Sequence, residues 1–252
     1  MIPGHVVGIE ARKLIRSAVT RVATATTLVL VVAISAGGYA AATLAPDTQV
    51  GTKAAGLMTT VGWPGLTGLA AMGTGVAVLL AAGIVASWLV GREFTDGTVV
   101  GLFALPVGPG TIALAKLLVI AAWSAALAVA SGALTALAGI CLGLPVTGAV
   151  GCAGAITLVG VLLGAGALPM AWFATLGRGY LAGIAAALGI VIVTNLAIGL
   201  GIGDLIPWAA PILWATPGGN TPPLALLLPL AAGLAGTILT TRSWGRLELG
   251  NR

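Results

Sequence analysis

Long apolar stretches alternate along the chain with short segments that carry nearly all of its charges. The apolar residues run continuously rather than at every second position, which favours membrane-spanning helices over the strands of a barrel. A spanning helix needs about 20 apolar residues. The stretches without Asp, Glu, Lys or Arg are 22–46, 54–91, 97–115, 117–177, 179–203 and 205–241. With a turn at 143–148 and a break at 62–65, they predict spans near 22–45, 66–90, 117–141, 151–176, 180–203 and 224–241.

The stretch 97–115 is apolar enough to span, but its centre, residues 106–110, reads Pro-Val-Gly-Pro-Gly, which suits a helix poorly. The distribution of basic residues decides the matter, because Lys and Arg concentrate on the cytoplasmic side. Six spans with both termini cytoplasmic leave only Lys53 of the 11 basic residues outside. A seventh span at 97–115 would divide them almost evenly. We therefore expect six spans, with 97–115 in the cytoplasm and tryptophans forming a belt at each membrane surface.

The composition agrees with this reading. Of the 252 residues, 59% are hydrophobic and 7% are charged, whereas a soluble domain has about 25% charged residues. A soluble enzyme is thereby excluded. We expect an all-α, multi-pass protein of the plasma (inner) membrane, with residues 1–252 forming a single domain. The polar lead and the first apolar run are both too long for a cleaved signal peptide.

Residues that carry chemistry are scarce. No predicted span contains a charged residue, which argues against a proton or ion pathway. The single histidine, His5, lies near the N-terminus, so Ser–His catalysis and a zinc site are not expected. None of the three lysines is followed by Ser or Thr, so the chain lacks a P-loop. We expect no catalytic, cofactor or metal site in this chain, and no nucleic-acid partner.

Residues 8–21 have the pattern of an amphipathic helix. The apolar residues Ala11, Leu14, Ile15, Ala18 and Val22 recur at helical spacing, with polar residues opposite. Such a helix lies on the inner leaflet, where basic residues meet anionic lipid. It is either a generic surface helix or an elbow that also docks a cytoplasmic partner. Its candidate contact residues are Glu10, Arg12, Lys13 and Arg16.

The connection between spans two and three is the best candidate docking site. It opens with Arg92, Glu93 and Asp96 and then becomes apolar. An apolar cytoplasmic segment that cannot span must bury itself in the membrane surface or against a protein. The alternative is an interfacial turn without a partner.

Here the residues resemble a known family. Glu93-x-x-x-Gly97-Thr98, a short apolar helix, Leu105-Pro106 and then Lys116 at the start of span three resemble the membrane-spanning permease subunits of type-2 ABC transporters (ABC-2 family exporters). The elbow segment before span one and the six spans in about 250 residues are similar to the same family. The resemblance extends over essentially the whole chain.

The resemblance implies two permease chains, identical or sister, assembled with two ABC ATPase subunits that bind ATP and Mg. Residues 92–105 would form a coupling helix in a cleft of the ATPase, with Glu93 making a polar contact there and Gly97 and Thr98 forming its turn. ATP-driven closure would then rock the spans and export a substrate. The implied contact residues are Arg92, Glu93, Phe94, Asp96, Gly97, Thr98, Leu102, Leu105 and Pro106.

Residues 204–223 contain five prolines and a single charge. Apolar, non-helical backbone at membrane depth is tolerated only inside protein or at the interface. In the resembled family this position holds short re-entrant helices that gate the outer side, and a plain interfacial loop is the alternative here. The candidate gate residues are Pro207, Trp208, Pro211 and Trp214. Thr194 and Asn195 form the strongest polar spot within a span, either as a helix–helix contact or on the transport path.

Two other functions remain open at this point: a stand-alone carrier or channel for a small uncharged solute, and a membrane assembly subunit that transports nothing. The sequence leaves three further points open. These are the substrate, the choice between homodimer and heterodimer, and whether Cys141 and Cys152 pair across the 143–148 turn.

Overall fold

The computed structural model describes residues 4–104 and 106–247, apart from the side chain of Leu205. Throughout these residues the regular structure is helical, without strands. Six helices are long and apolar enough to cross a membrane, which confirms the predicted number of spans. In chain order, spans one to six are Ala18–Leu44, Trp63–Thr95, Pro109–Cys141, Val146–Leu176, Tyr180–Gly199 and Pro223–Gly245.

The segment 97–115 does not span, as the basic residues indicated. It contains a short helix, Val99–Leu102, and its last residues belong to span three, which starts at Pro109 rather than near 117. Gly108 precedes the helix in extended conformation, and Pro109 occupies the first turn. Proline is favoured there because the first N–H groups of a helix have no partner within it. The connection between the two spans is therefore shorter than the sequence suggested.

Span two is the central helix of the bundle. It has 33 residues and contacts spans one, three, four and five. At a rise of 1.5 Å per residue it is about 50 Å long, more than the roughly 30 Å of a hydrocarbon core. Spans one, five and six lie around it and expose many apolar side chains outward, among them Val29, Leu188 and Leu234.

The bundle has two distinct ends. One end, called the charged face below, carries helix Gly4–Arg16, residues 96–108, the loop 177–179 and the last turn of span six. The opposite end carries helix Gln49–Leu57 and the turn after Cys141. That turn is fastened by Trp63, whose indole Nε1 donates to the Pro145 carbonyl oxygen at 2.8 Å. Cys141 is an exposed free thiol and Cys152 a buried one, so no disulfide closes the turn.

Span four is interrupted at Pro169, about three-quarters of the way along its length. Its two helices are Ala149–Gly166 and Pro169–Leu176. The proline has no N–H to donate to the preceding turn, and the amides of Leu168 and Met170 bond three residues back instead. The backbone tightens at this point, and the interruption leaves the Gly166 carbonyl available to a side chain.

The N-terminal helix differs from the predicted one in its bounds and in the face it buries. It runs from Gly4 to Arg16 rather than over 8–21, and span one begins at Ala18. Ser17 separates the two helices, and its Oγ accepts a hydrogen bond from the Thr20 N–H at 3.3 Å. This N-cap ends one helix and starts the next in a new direction.

Candidate functional site

Four charged side chains form a buried cluster at the charged face. Lys116 Nζ lies 2.7 Å from Glu10 Oε2 and 2.7 Å from Glu93 Oε1. Lys13 Nζ lies 2.8 Å from Glu10 Oε1 and 3.3 Å from Glu93 Oε1. Two carboxylates thus alternate with two ammonium groups, and the formal charges cancel.

Because the cluster is buried, its charged groups stabilise one another only when all of them are present. The Lys116 side chain is fully buried, and those of Glu10 and Glu93 are 3% and 5% exposed. An isolated buried charge costs several kcal/mol, so each of these groups depends on its partners. Thr98 completes the set, because its Oγ1 donates to Glu93 Oε2 at 2.5 Å.

The half-buried Lys13 is held in its charged form. Burial lowers its pKa, but the hydrogen bond from Lys13 to Glu10 and the charges of Glu10 and Glu93 raise it by more, so the pKa lies above the ordinary lysine value of 10.5. A raised pKa in the folded state contributes stability that is fully present below the unfolded pKa and is lost only as the pH rises through the folded value. The Lys13 bridges are therefore intact at neutral pH.

The cluster joins three elements that are far apart in sequence. Glu10 and Lys13 come from the N-terminal helix, Glu93 from the end of span two and Lys116 from the second turn of span three. Around it pack Leu14, Leu89 and Ile112, all at most 2% exposed. The N-terminal helix is thus locked to both spans by charge and by apolar contact.

The structure buries one residue of the N-terminal helix that the sequence assigned to its polar side. Glu10 is buried together with Val6 and Leu14, whereas Ile15, on the predicted lipid-facing side, is 66% exposed at the surface of the bundle. Lys116 causes the difference, since a fully buried ammonium group requires carboxylates around it. Arg12 and Arg16 are exposed, as surface contacts require. Spans one, two, three and six extend beyond their predicted bounds, and their added ends contain charged residues: Arg21, Arg92, Glu93, Lys116 and Arg242.

The predicted docking residues between spans two and three divide into an inner and an outer set. Glu93, Phe94 and Leu102 point into the bundle, and Glu93 is committed to the ion cluster rather than free for a partner. Gly97 makes the expected turn with φ +68°. Leu105 lies outside the described residues. The outer set comprises the exposed Asp96, Gly97, Thr98 and Pro106 and the partly exposed Arg92.

Val100 is an outer residue that the sequence did not single out. It is 59% exposed at the centre of helix Val99–Leu102. On the same connection, Arg92 stacks over the Trp88 ring, 4.8 Å from its centroid, and lies 3.8 Å from Asp96. The one signal in the sequence for the exposure of Val100 is its position between the Gly97 turn and Leu102. We call Arg92, Asp96, Gly97, Thr98 and Val100 the outer surface of the connection.

A second link ties the connection to the far side of the bundle. The Phe94 ring meets the Trp244 ring edge-on, with centroids 5.7 Å apart. Trp244 is fully buried, and its Nε1 donates to Thr175 Oγ1 at 3.0 Å. Spans two, four and six are thereby joined at the charged face. Trp244 therefore belongs to the protein core rather than to a lipid-facing belt.

The predicted gate region folds back into the bundle. Helix Ala210–Ala215 packs on spans two and four, and Pro211 and Ile212 are buried. Ile212 lies against Gly75, where an added Cβ would overlap its side chain. Gly75 lies about 18 Å along span two from Trp63, by the helical rise. Pro207, Trp208 and Trp214 are partly buried. The segment is thus re-entrant rather than a surface loop.

Trp208 fixes the inner end of this re-entrant segment. Its indole Nε1 donates to the Gly166 carbonyl at 2.8 Å, the group released by the break in span four. It also packs against the apolar cluster that contains Leu79 and Met170. The sequence placed Trp208 at the membrane surface, but it lies at mid-bundle.

Replacing Trp208 by phenylalanine tests this anchor. The change leaves the Gly166 carbonyl without its donor, and an unpaired buried polar group costs about 1–3 kcal/mol. We expect a lower thermal unfolding midpoint in detergent. Trp214→Phe, in the same segment but without the Gly166 contact, is the matched control. Equal effects of both substitutions would contradict the anchoring role.

Thr194 and Asn195 point in opposite directions on span five. Thr194 is buried, and its Oγ1 has no hydrogen-bond partner among the described residues. Asn195 is exposed, and its Nδ2 donates to the Val191 carbonyl at 2.8 Å. The two adjacent polar residues therefore do not form one site.

The sequence of this chain is similar to a known family. A family model described as "ABC-2 family transporter protein" matches residues 6–194. The matched range includes all four residues of the ion cluster and the whole connection between spans two and three. A search of curated proteins returned no match.

Proposed function

Because the chain belongs to the ABC-2 family of transporter proteins, and is thus a permease component of an ABC transporter, we propose that it exports a substrate using ATP hydrolysed by a separate ATPase subunit. The observation that carries this proposal is the construction of the connection between spans two and three. Its outer surface is exposed among the described residues, while its inner side contacts the N-terminal helix and spans three and six, and reaches span four through Trp244.

The outer surface of the connection is where the ATPase subunit binds in this proposal. The distribution of basic residues supports a cytoplasmic position of the charged face, where ATP is available. Val100 is the apolar side chain of this surface, and Arg92 and Asp96 are its charged side chains. A protein interface usually combines an apolar core with a polar rim.

The ion cluster transmits movement of the ATPase to the spans. A displaced connection carries Glu93 with it, and Glu93 holds Lys116 of span three and Lys13 of the N-terminal helix. Separating these charges while buried is expensive, so the elements move as one body. The role first implied for Glu93, a direct contact with the ATPase, is replaced by this internal one.

The re-entrant segment acts as the gate at the other end. It is anchored at Trp208 to span four and at Ile212 to span two, so relative movement of these spans displaces it. In this proposal the path opens outward when the anchors shift.

ATP and Mg act in the ATPase subunit, in accord with the missing P-loop. A second permease chain, the plasma membrane and anionic lipid at Arg12 and Arg16 complete the assembly.

Val100→Asp tests docking of the ATPase. A carboxylate in the centre of an apolar contact removes its hydrophobic contribution and adds an unpaired charge. We expect co-purification of the ATPase subunit in mild detergent to fall at least about tenfold, with the permease itself still folded. Val146→Asp is the control, because Val146 is 67% exposed at the opposite end.

Three results would refute the proposal. The first is equal recovery of the ATPase with Val100→Asp, Val146→Asp and the unchanged protein. The second is substrate flux in vesicles that contain the chain without any ATPase, which would indicate a stand-alone carrier. The third is a complex that binds ATPase but supports no flux under any condition, which would indicate an assembly subunit.

A further inference from the structure

A groove opens between span one and helix Gln49–Leu57, at the end of the bundle opposite the charged face. We call it the Lys53 groove. Its volume is about 470 Å³, which is within the range of small-ligand sites. The most buried residue of its lining is Leu69 of span two, at 2% exposed. The two helices that form its sides contribute, among others, Ile34, Gly37, Val50, Lys53 and Leu57.

The side that span one contributes is a widened turn of helix. Residues Ala33–Gly37 form a π-helix, a rare conformation that often occurs at functional sites. Gly37 has no side chain, and a Cβ added there would meet nothing within 4 Å. The missing side chain at Gly37 therefore leaves the space of the groove open.

Helix Gln49–Leu57 is held firmly at the other side of the groove. Thr48 caps it, since its Oγ1 accepts a hydrogen bond from the Gly51 N–H at 3.0 Å. Gly51 is buried, and a Cβ there would overlap the carbonyl oxygens of Ala41 and Ala45, at the end of span one. The helix thus packs directly on the backbone of span one, and this contact sets the width of the groove.

Lys53 lies on the same side of its helix as the apolar residues. Val50, Lys53, Ala54 and Leu57 are spaced by three and four positions and line the groove together. Among the described residues, Lys53 forms no ion pair. It is also the one basic residue that the sequence places on the outer side of the membrane. A lysine stem can lie along apolar surface while its ammonium group reaches a polar layer.

We propose that the Lys53 groove binds a phospholipid with an anionic headgroup from the outer leaflet, with an acyl chain against Ile34 and Leu69 and the phosphate at Lys53. At 1.5 Å per residue, Gly37 lies about 28 Å from the start of span one, close to the far edge of a hydrocarbon core of about 30 Å. The chain would therefore run inward and the headgroup outward, as in the surrounding leaflet. The bound lipid is a ligand that the proposed function does not require.

A phospholipid matches this groove better than other occupants do. A water-soluble anion would pair with Lys53 but leave the apolar lining uncovered. An apolar protein segment would cover the lining but bury the ammonium group without a counter-charge, which is costly. An anionic phospholipid supplies both the apolar chain and the counter-charge, and the membrane presents it at the depth where the groove opens.

Lipid titration of the purified protein tests the role of Lys53. We expect phosphatidylglycerol to raise the thermal unfolding midpoint in detergent, and native mass spectrometry to show one tightly held molecule. Lys53→Met should weaken its apparent affinity about fivefold, the effect of one basic residue beside an anionic headgroup. Without added lipid, the two proteins should melt alike. The matched control is Arg12→Gln/Arg16→Gln at the opposite membrane surface, which should keep the tightly held molecule.

Filling the groove tests the position of the acyl chain. Gly37→Leu places a side chain in the open space of the groove and should abolish tight binding of phosphatidylglycerol. Gly56→Leu is the matched control, because Gly56 is exposed on helix Gln49–Leu57, is not part of the lining, and also has nothing within 4 Å of an added Cβ. It should bind the lipid as the unchanged protein does.

Four outcomes would overturn the proposal. Equal affinity of Lys53→Met and the unchanged protein would show that the ammonium group holds no headgroup, and equal stabilisation by phosphatidylcholine would show the same. Equal binding by Gly37→Leu and Gly56→Leu would place the lipid outside the groove. The same stabilisation by inorganic phosphate would show that no acyl chain is needed.

Discussion

Lys116→Met is expected to destabilise the protein by about 3–5 kcal/mol, because removing one member of a buried charge set leaves the others uncompensated. Glu10 and Glu93 each lie 2.7 Å from the Lys116 ammonium group. Without it, two buried carboxylates share only the half-exposed Lys13. A large fall in the thermal unfolding midpoint of the purified protein in detergent should follow, together with loss of ATPase stimulation in the complex.

Control variants distinguish the effect of breaking the ion cluster from a general effect of replacing a lysine. Lys53→Met, at an exposed position on helix Gln49–Leu57, should melt like the unchanged protein. The triple variant Glu10→Met/Glu93→Met/Lys116→Met should recover much of the stability, since apolar residues often replace a buried ion set without loss. If that variant also recovers ATPase stimulation, packing alone transmits the movement. If Lys116→Met melts like Lys53→Met, the cluster does not stabilise the fold.

Gly91→Ala is expected to be the second severe change. Gly91 is buried in span two beside Arg92 and Glu93, and a Cβ there would overlap the backbone nitrogen of Tyr180. Backbone cannot yield as a flexible side chain can, so spans two and five must separate. The cost of overpacking is about 1–3 kcal/mol. The separation should lower the unfolding midpoint and disturb the neighbouring ion cluster.

Gly189→Ala is the matched control for this change. Gly189 is also within a span, but an added Cβ meets nothing within 4 Å. Alanine favours a helix by up to about 1 kcal/mol over glycine, so this variant should be neutral or slightly more stable. Similar losses in both variants would contradict the close packing of span two on Tyr180.

The number of spans and the fate of residues 97–115 could be predicted, because both follow from local chemistry. A membrane-spanning helix requires a minimum length and an apolar composition, and each residue contributes to both independently of the others. The Pro-Val-Gly-Pro-Gly run at 106–110 interrupts the helical structure before Pro109, where the proline fits only the first turn of the next helix. The breaks at Pro169 and near Gly143 follow in the same way from the backbone properties of those residues.

The partners of the charged residues could not be predicted, because they depend on which helices are neighbours. Glu93 had the right position for a docking residue, yet its carboxylate turns inward to Lys116, 23 positions later. The pattern over residues 8–21 puts Glu10 on the polar side of its helix. In the longer helix that forms, Glu10 lies between the buried Val6 and Leu14, and Lys116, 106 positions away, is its buried partner. Periodicity within one helix contains no information of this kind.

The sequence by itself determined that this is a helical membrane protein with six spans and that the connection after span two does not form another span, since hydropathy and helix-breaking residues act locally. Only the tertiary structure decided which charges are buried together and that residues 207–215 fold back to Gly75 and Gly166. These features arise from packing between distant segments, where a buried ammonium group or a free carbonyl selects its partner by proximity.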